Sequence, residues 1–302
     1  MTGLKDKFQE VELLANGSIL TRIRKLPLKY GLVQIFNKLL YPVLKSGLTL
    51  KTKTFFDKEL FVTLPASTDI FLTGGKSHPS ELRLTKFMLN HLRHGGCFID
   101  VGAHVGYYTL LASEIIGPNG KVISFEPSNN IFNLLERNTN SSANIRLYNN
   151  AVSDVEQTIE FYEFPIKYSE YNALDIDQYK GYNWFKKFKP VAIRLNAVTL
   201  DSVIDLEGVS PSMIKIDVEG AEFKVLLGAG KFLELFNGYI IMEYLLSDRG
   251  NAGHRKAVGY LLSKGYESYS IMSNGAIEKI TSVEDYMTAN GMESDNIVFK
   301  RA

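Results

Sequence analysis

Cysteine is nearly missing from this chain, with Cys97 alone among 302 residues. One cysteine rules out an internal disulfide and any zinc site built on thiolates, and it points to a reducing, cytoplasmic setting. Cys97 lies in an apolar stretch, where a small buried side chain is expected and not a reactive thiol. An excess of one charge is missing too. Lys and Arg number 34 against 33 Asp and Glu, a net charge of +1, so there is no global basic surplus to favour a nucleic-acid partner. Neither a signal-peptide pattern nor a membrane-length apolar run is expected at the N-terminus, and no internal repeat or low-complexity tract appears. What remains is an ordinary globular composition, 45% hydrophobic with a mean hydropathy of −0.06. The length is enough for one large domain or two small ones.

The most informative stretch is CFIDVGAHVG, Cys97 to Gly106. Phe98, Ile99 and Val101 read as a buried parallel strand that ends beside Asp100. A tight loop follows, bracketed by Gly102 and Gly106 and containing Ala103 and His104. After it comes YYTLLASEII, apolar at helical spacing through Leu110, Leu111, Ile115 and Ile116. Strand, glycine loop and helix form the nucleotide-binding corner of a doubly wound α/β sheet. The loop departs from the G-x-G-x-x-G of dinucleotide sites, because Asp100 opens it and three residues separate its glycines. A carboxylate there would repel a pyrophosphate. It suits a ligand bearing an ammonium and a sulfonium, as S-adenosylmethionine does. Gly102 would let the backbone approach that ligand, and the helix N-terminus after Gly106 favours its carboxylate. The competing reading is a strand-to-helix turn that binds nothing.

Further acids recur at strand ends. KVISFEP reads as a second strand ending in Glu126, about 20 residues past the glycines, where an exposed acid would accept from ribose hydroxyls. After the helix NNIFNLLERNTN, a third strand around IRLYNN leads to Ser153 and Asp154. Asp154 is placed to accept from an adenine amine, or else is a solvated turn residue. A further strand, QTIEFYEF, precedes an aromatic stretch from about 165 to 190 with Tyr168, Tyr171, Tyr179, Tyr182, Trp184, Phe185 and Phe188. A loop of that length is a lid or substrate wall, or a self-packed aromatic cluster.

The N-terminal 50 residues differ from the rest. Between Ile19 and Lys45 stand Arg22, Arg24, Lys25, Lys29, Lys38 and Lys45 with no acid among them, while LVQIFNKLLYPVLK carries a broad apolar helical face. This basic amphipathic pattern fits the inner face of a membrane or a partner. The plainer reading is a cap on its own sheet or on a second copy in a homo-oligomer, and Pro27 and Pro42 are expected to limit any continuous helix. KTKTFFDKELFVTL reads as a hairpin, and SELRLTKFMLNHL as a helix that Ser80 caps, with His78 just ahead of it.

In IKIDVEGAE, residues two apart share a strand face, which groups Lys215, Asp217 and Glu219. These sit at the carboxyl end of a fourth core strand, where open α/β sheets bind ligands. Three ionisable side chains on a core strand are costly without a purpose; the alternative is an ion pair of Lys215 with one of the acids. GYIIMEYLL, with Glu243 near its end, YESYSI and DNIVFK complete the strands.

FIDVGAHVGYYTLLA, ISFEPSNNIFNLLERN, NNAVSD and above all LDSVI followed by IKIDVEGAEFKVLLGA resemble the FkbM family of S-adenosylmethionine-dependent methyltransferases. The similarity covers roughly residues 80 to 245. It implies a class I, Rossmann-like α/β fold with a seven-stranded sheet, mostly parallel with an antiparallel last strand. Added to this are an N-terminal helical and hairpin extension (1–75) and an aromatic insertion in the 76–302 domain. It implies O-methylation of a sugar, glycolipid or polyketide hydroxyl. Asp100, Gly102, Ala103, His104 and Gly106 carry over as the methionine-end loop, Glu126 as the ribose ligand, Ser153 and Asp154 as the adenine side, and Asp217 and Glu219 as the acids near the transferred methyl. His104 stands where the family commonly has Asn. For proton acceptance the candidates are Asp217, Glu219 and Glu243, with His78 behind them, and the same acids are alternatively ligands for a divalent cation. Rival readings are methylation of nitrogen or protein, and a non-catalytic module keeping the fold.

Overall fold

The structure, a computed structural model, describes residues 2–246 and 251–301. The chain opens with helices α1 (Thr2–Asn16), α2 (Ile19–Lys25) and α3 (Pro27–Ile35), a π-helical turn (Phe36–Leu40) and α4 (Tyr41–Leu44). Pro27 starts α3 at a position where its missing N–H costs nothing. Pro42 does not end the helix as expected. The π turn shifts the hydrogen-bond register, with Tyr41 N–H reaching Phe36 C=O, and the proline is absorbed in the next turn. The hairpin β1 (Leu48–Lys53) and β2 (Glu59–Leu64) pairs antiparallel, followed by α5 (Thr68–Thr73) and α6 (Pro79–His91). Ser80 does not cap α6. His78 occupies the cap position with Pro79 behind it, and Ser80 Oγ instead meets His78 Nδ1 at 2.7 Å.

The remainder alternates strand and helix: β3 (Cys97–Val101), α7 (Tyr107–Ile116), β4 (Lys121–Phe125), α8 (Asn129–Thr139), β5 (Ile145–Tyr148), β6 (Ala151–Val152), β7 (Thr158–Glu163), α9 (Asn183–Lys187), β8 (Val191–Val198), α10 (Leu200–Glu207), β9 (Met213–Ile216), α11 (Glu222–Leu227), α12 (Gly230–Leu233), β10 (Tyr239–Leu245), α13 (Ala252–Ser263), β11 (Tyr266–Ile271), β12 (Ile277–Ile280), α14 (Val283–Ala289) and β13 (Ser294–Arg301). The main sheet has eight strands in the order β12-β11-β13-β10-β9-β3-β4-β5. From β10 to β5 all neighbours are parallel, and β13 runs antiparallel to both β10 and β11. The seven expected strands are there with the antiparallel last one. The eighth, β12, is a short antiparallel edge added by β11. QTIEFYEF does not join this sheet: β7 pairs with β8, and β8 with β6, in a separate three-stranded sheet.

β3 and β9 are buried along their whole length, as strands covered on both faces must be. One face packs under α6 and α7 in a cluster that also contains Phe8, Val11, Val33 and Phe36, so residues 1–75 share the core of the domain that follows. The other face packs under α10 to α13. The aromatic insertion has a small cluster of its own around Phe164, Tyr179 and Phe185.

Candidate active site

Parallel strands end on one edge, and register decides which residues meet there. Val101 pairs with Phe125 on one side and Ile216 on the other, and Ile216 pairs with Met242. The next residues along, Glu126, Gly102, Asp217 and Glu243, therefore form a row at the carboxyl ends of β4, β3, β9 and β10. All four line a cleft of about 580 Å³, a size typical of small-molecule sites. Ala103, His104, His78, Lys76, Glu81, Lys215 and Glu219 line it as well.

The glycine loop is shaped by the protein itself. Gly102 has φ +84, and a Cβ there would stand 1.9 Å from the Asp217 carbonyl oxygen. Gly102 is thus required by the approach of the neighbouring loop, whatever access it also gives a ligand. The N–H groups of Gly102 and Ala103 both donate to Phe125 C=O, at 3.0 and 2.9 Å. Beneath the loop, Asp100 is buried. Its Oδ2 accepts from Thr109 Oγ1 at 2.7 Å, while Oδ1 has no partner among the described residues. Burial raises its pKa, against the pull of Lys215.

Glu126 is not the exposed tip expected of it but is 5% exposed. One oxygen accepts from His104 N–H and the other from Ser128 N–H, both at 2.9 Å, so one carboxylate ties the glycine loop to the start of α8. Burial pushes its pKa up to about 7. His104 is half-buried, and desolvation, with the Lys76 charge adding to it, depresses its pKa to about 3, which favours the neutral imidazole. Its Nε2 lies 3.1 Å from Ser169 Oγ of the insertion.

Asp217, Glu219 and Glu243 each place a carboxylate oxygen within 4.8 Å of the other two. The sheet does not deliver Glu219 by strand alternation. β9 stops at Ile216, and a left-handed turn at Glu219 (φ 54) and Gly220 (φ 97) swings the side chain back into the cleft. Glu222 holds that turn, its Oε1 accepting from Val218 N–H at 3.2 Å and Gly220 N–H at 3.3 Å. His254 Nδ1 lies 3.3 Å from Glu222 Oε2 and 3.0 Å from the Glu243 carbonyl oxygen, linking the turn to β10. The insertion grips Glu219 from the other side. Tyr179 OH donates to its carboxylate and Gln178 Nε2 to its carbonyl, both at 2.7 Å.

Three acids so close cannot all be charged without compensation. Burial opposes ionisation of Asp217, yet Lys215 and Lys76 hold its pKa below the usual carboxylate range. Lys215 Nζ lies 2.8 Å from Asp217 Oδ2, so both expectations for this strand hold together: the ion pair exists, inside a cleft of acids. Burial and then the Asp217 charge raise Glu219 to about 8 and push Glu243 well up. The cluster is thus one fixed anion beside two carboxyls poised to hold protons.

Not every expected residue reaches the cleft. Ser153 and Asp154 lie outside its lining, on an adjacent hollow, with Ser153 Oγ donating to Asp154 Oδ1 at 2.9 Å. Asn150, Ala151 and Val152 line the cleft in that stretch. His78 does line the cleft, at its exposed rim, with its ring turned to Ser80. Of the insertion, Ser169, Glu170, Tyr171, Asn172 and Leu174 form cleft wall, while Trp184 stacks behind Tyr168 and Tyr171 at ring separations of 4.6 and 5.2 Å. Lys76, Glu81 and Glu222 are not singled out by the sequence, and Tyr179 is legible there only as one ring of the aromatic stretch, not as a partner of Glu219. The glycine pair before Lys76 and the second glutamate of VEGAE were the available signals.

Strand order and an acid-lined cleft at the carboxyl edge define a doubly wound α/β protein with its ligand site where the parallel strands end. The sequence model of the Methyltransferase FkbM domain matches residues 100–268, more than half of the chain, and the chain belongs to that family. By family it is an S-adenosylmethionine-dependent methyltransferase. Among solved structures, methyltransferase FkbM from Methylobacillus flagellatus KT is 14% identical with a TM-score of 0.43, covering 78% of this chain and 52% of its own. This chain thus spans about half the length of that protein. An S-adenosylmethionine-dependent O-methyltransferase from Thermotoga maritima is 12% identical, with a TM-score of 0.40 and coverage of 84% and 77%. Aeropyrum pernix fibrillarin, solved with natively bound S-adenosyl-L-methionine, is 14% identical, with a TM-score of 0.39 and coverage of 72% and 74%. No curated protein matches the sequence significantly.

Proposed function

We propose that the chain methylates an alcohol oxygen of a sugar, glycolipid or polyketide-type acceptor, with Glu219 accepting the hydroxyl proton. The observation that carries the reading is the convergence of Asp217, Glu219 and Glu243 beside the glycine loop. The donor set suits S-adenosylmethionine: acids dominate the row, Asp100 keeps a buried oxygen without a partner among the described residues, and Glu126 has lone pairs to spare for ribose hydroxyls. When bound, the cofactor supplies an electrophilic methyl on a cationic sulfur.

A hydroxyl is a poor nucleophile, and a carboxylate that takes its proton as the new bond forms lowers the barrier. A base works best with a pKa near the operating pH, and Glu219 at about 8 is closest among the three acids. Asp217 is locked to Lys215 and keeps its charge. A positive charge brought near the cluster favours ionised Glu219, readying the base only when the cleft is filled. Tyr179 holds that carboxylate in one orientation, and Tyr171 and Asn172 offer a ring face and an amide to an acceptor. For the adenine end, Asn150 is better situated than Asp154.

A second reading is favoured by the mutual 4.8 Å spacing, which suits a divalent cation that polarises the hydroxyl. The ammonium of Lys215 on Asp217 argues against it. The test is methyl transfer from labelled S-adenosylmethionine to a panel of glycans and glycolipids. Glu219→Gln is expected to lower the rate on the order of 10²–10⁴-fold with cofactor affinity within about threefold, and EDTA to leave the wild type unaffected. Loss of activity in EDTA with rescue by Mg²⁺ transfers the role to a metal. Methyl recovered on nitrogen or protein, or no transfer at all, overturns the acceptor reading.

A further inference from the structure

The helical segment from α2 to α4 packs inward through Val33, Phe36 and Tyr41 and leaves an unusual amount of apolar surface facing outward. Leu28 is 88% exposed and Val43 80%, and Ile19, Leu20, Ile23, Leu32, Ile35, Leu39, Leu40 and Leu44 are exposed with them. Leu28, Leu32, Ile35, Leu39 and Val43 follow at spacings of four, three, four and four, which makes a single stripe along α3, the π turn and α4. Isolated exposed leucines need no explanation, but a contiguous apolar patch marks a binding surface.

Charge identifies the partner. No acid occurs between Ile19 and Lys45. Two of the six cations have duties inside the fold. Arg22 donates to Leu14 and Ala15 carbonyls, and Lys29 to Thr52 Oγ1 and Phe71 C=O. Lys25 makes only a long contact with Glu10 at 3.7 Å. Arg24, Lys38 and Lys45 are exposed and have no ion pair or hydrogen bond among the described residues. Apolar side chains interleaved with free cations complement a surface that offers hydrocarbon below a layer of negative charge. A two-fold contact between copies of this chain through the stripe would bring like charges together with no acid on the patch to offset them. Among the described residues, no helix is long and apolar enough to cross a membrane, so this segment would lie along the surface.

We infer that residues 19–45 dock the protein on an anionic phospholipid bilayer, with Leu28, Leu32, Ile35, Leu39 and Val43 in the interface and Arg24, Lys38 and Lys45 against the headgroups. Arg22, on the same short helix as Ile19 and Ile23, lines the cleft. The inference extends beyond methyl transfer and does not depend on it.

The experiment is co-sedimentation of the full chain with vesicles of phosphatidylcholine alone and of equal phosphatidylcholine and phosphatidylglycerol. Binding is expected to the anionic vesicles, at least about tenfold stronger than to neutral ones, and to weaken as salt is raised. The double variant Leu28→Glu/Val43→Glu is expected to lose about tenfold or more of that binding with its melting temperature unchanged. Arg24→Gln/Lys38→Gln/Lys45→Gln should abolish the preference for anionic lipid. No binding to either vesicle overturns the inference. So does binding that the glutamates leave intact, or a dimer by sedimentation equilibrium that Leu28→Glu/Val43→Glu dissociates, which would make the stripe a self-interface.

Discussion

Glu126 shows how a residue can be legible in its place and misjudged in its burden. Its spacing from the glycine loop located it at the tip of β4, on the cleft. What spacing cannot reveal is that both carboxylate oxygens already accept backbone N–H groups from two different loops. Removing the side chain therefore strands two donors in a buried site, each costing about 1–3 kcal/mol. Glu126→Ala is expected to lower stability measurably in a denaturant titration as well as to weaken S-adenosylmethionine binding. Glu126→Gln, which keeps an acceptor, should recover most of the stability and less of the affinity. An alanine variant with wild-type stability would mean the two loops hold their positions without the carboxylate. Residue types with one partner in sequence, such as Lys215 and Asp217, were readable in advance. Lys76, Glu81 and Tyr179 were not, because their partners come from distant segments of the chain.

Among the elements, the strands of the parallel core were the easiest to read. A strand buried on both faces must be apolar nearly throughout, and β3, β4 and β10 show this openly. β8 escaped because its burial is slight and its partners are β6 and β7, so neither alternation nor a continuous apolar run announces it. β12 and α14 are short pieces at the margin. The turn after β9 combines both situations: its motif was plain, but the route of Glu219 into the cleft depends on a left-handed backbone that Glu222 fastens. Glu222 is fully buried, and on the proposed role of Glu219 it would act through that residue as a positioning residue. Glu222→Ala is expected to reduce kcat about tenfold or more, with a much smaller change in cofactor Kd and partial rescue by Glu222→Gln. Equal losses in kcat and cofactor affinity would indicate general disruption of the cleft instead.

For the whole molecule, charge accounts for the arrangement better than shape alone. A nearly neutral chain concentrates four carboxylates along one edge of its sheet and offsets them there with the buried Lys215 and the half-buried Lys76, leaving Glu219 raised to about 8 and Glu243 higher still. In this setting Glu219 and Glu243 favour their protonated forms at neutral pH, while Asp217 stays charged. A cation seated against it shifts Glu219 toward the carboxylate, so binding releases a proton. Linkage then requires affinity to rise with pH through neutrality and to level off above about 8, where Glu219 is already ionised in the free protein. A ligand of the same shape without the positive sulfur should lack that dependence.

The most direct measurement is titration calorimetry at pH 7 in buffers of different ionisation enthalpy, comparing S-adenosylmethionine with S-adenosylhomocysteine, whose sulfur is uncharged. A cluster that faces the sulfonium predicts release of a fraction of a proton with the first ligand, close to none with the second, and loss of the difference in Glu219→Gln. Equal proton exchange for the two ligands, or a difference that survives in Glu219→Gln, would contradict the placement of the reacting methyl beside Asp217, Glu219 and Glu243.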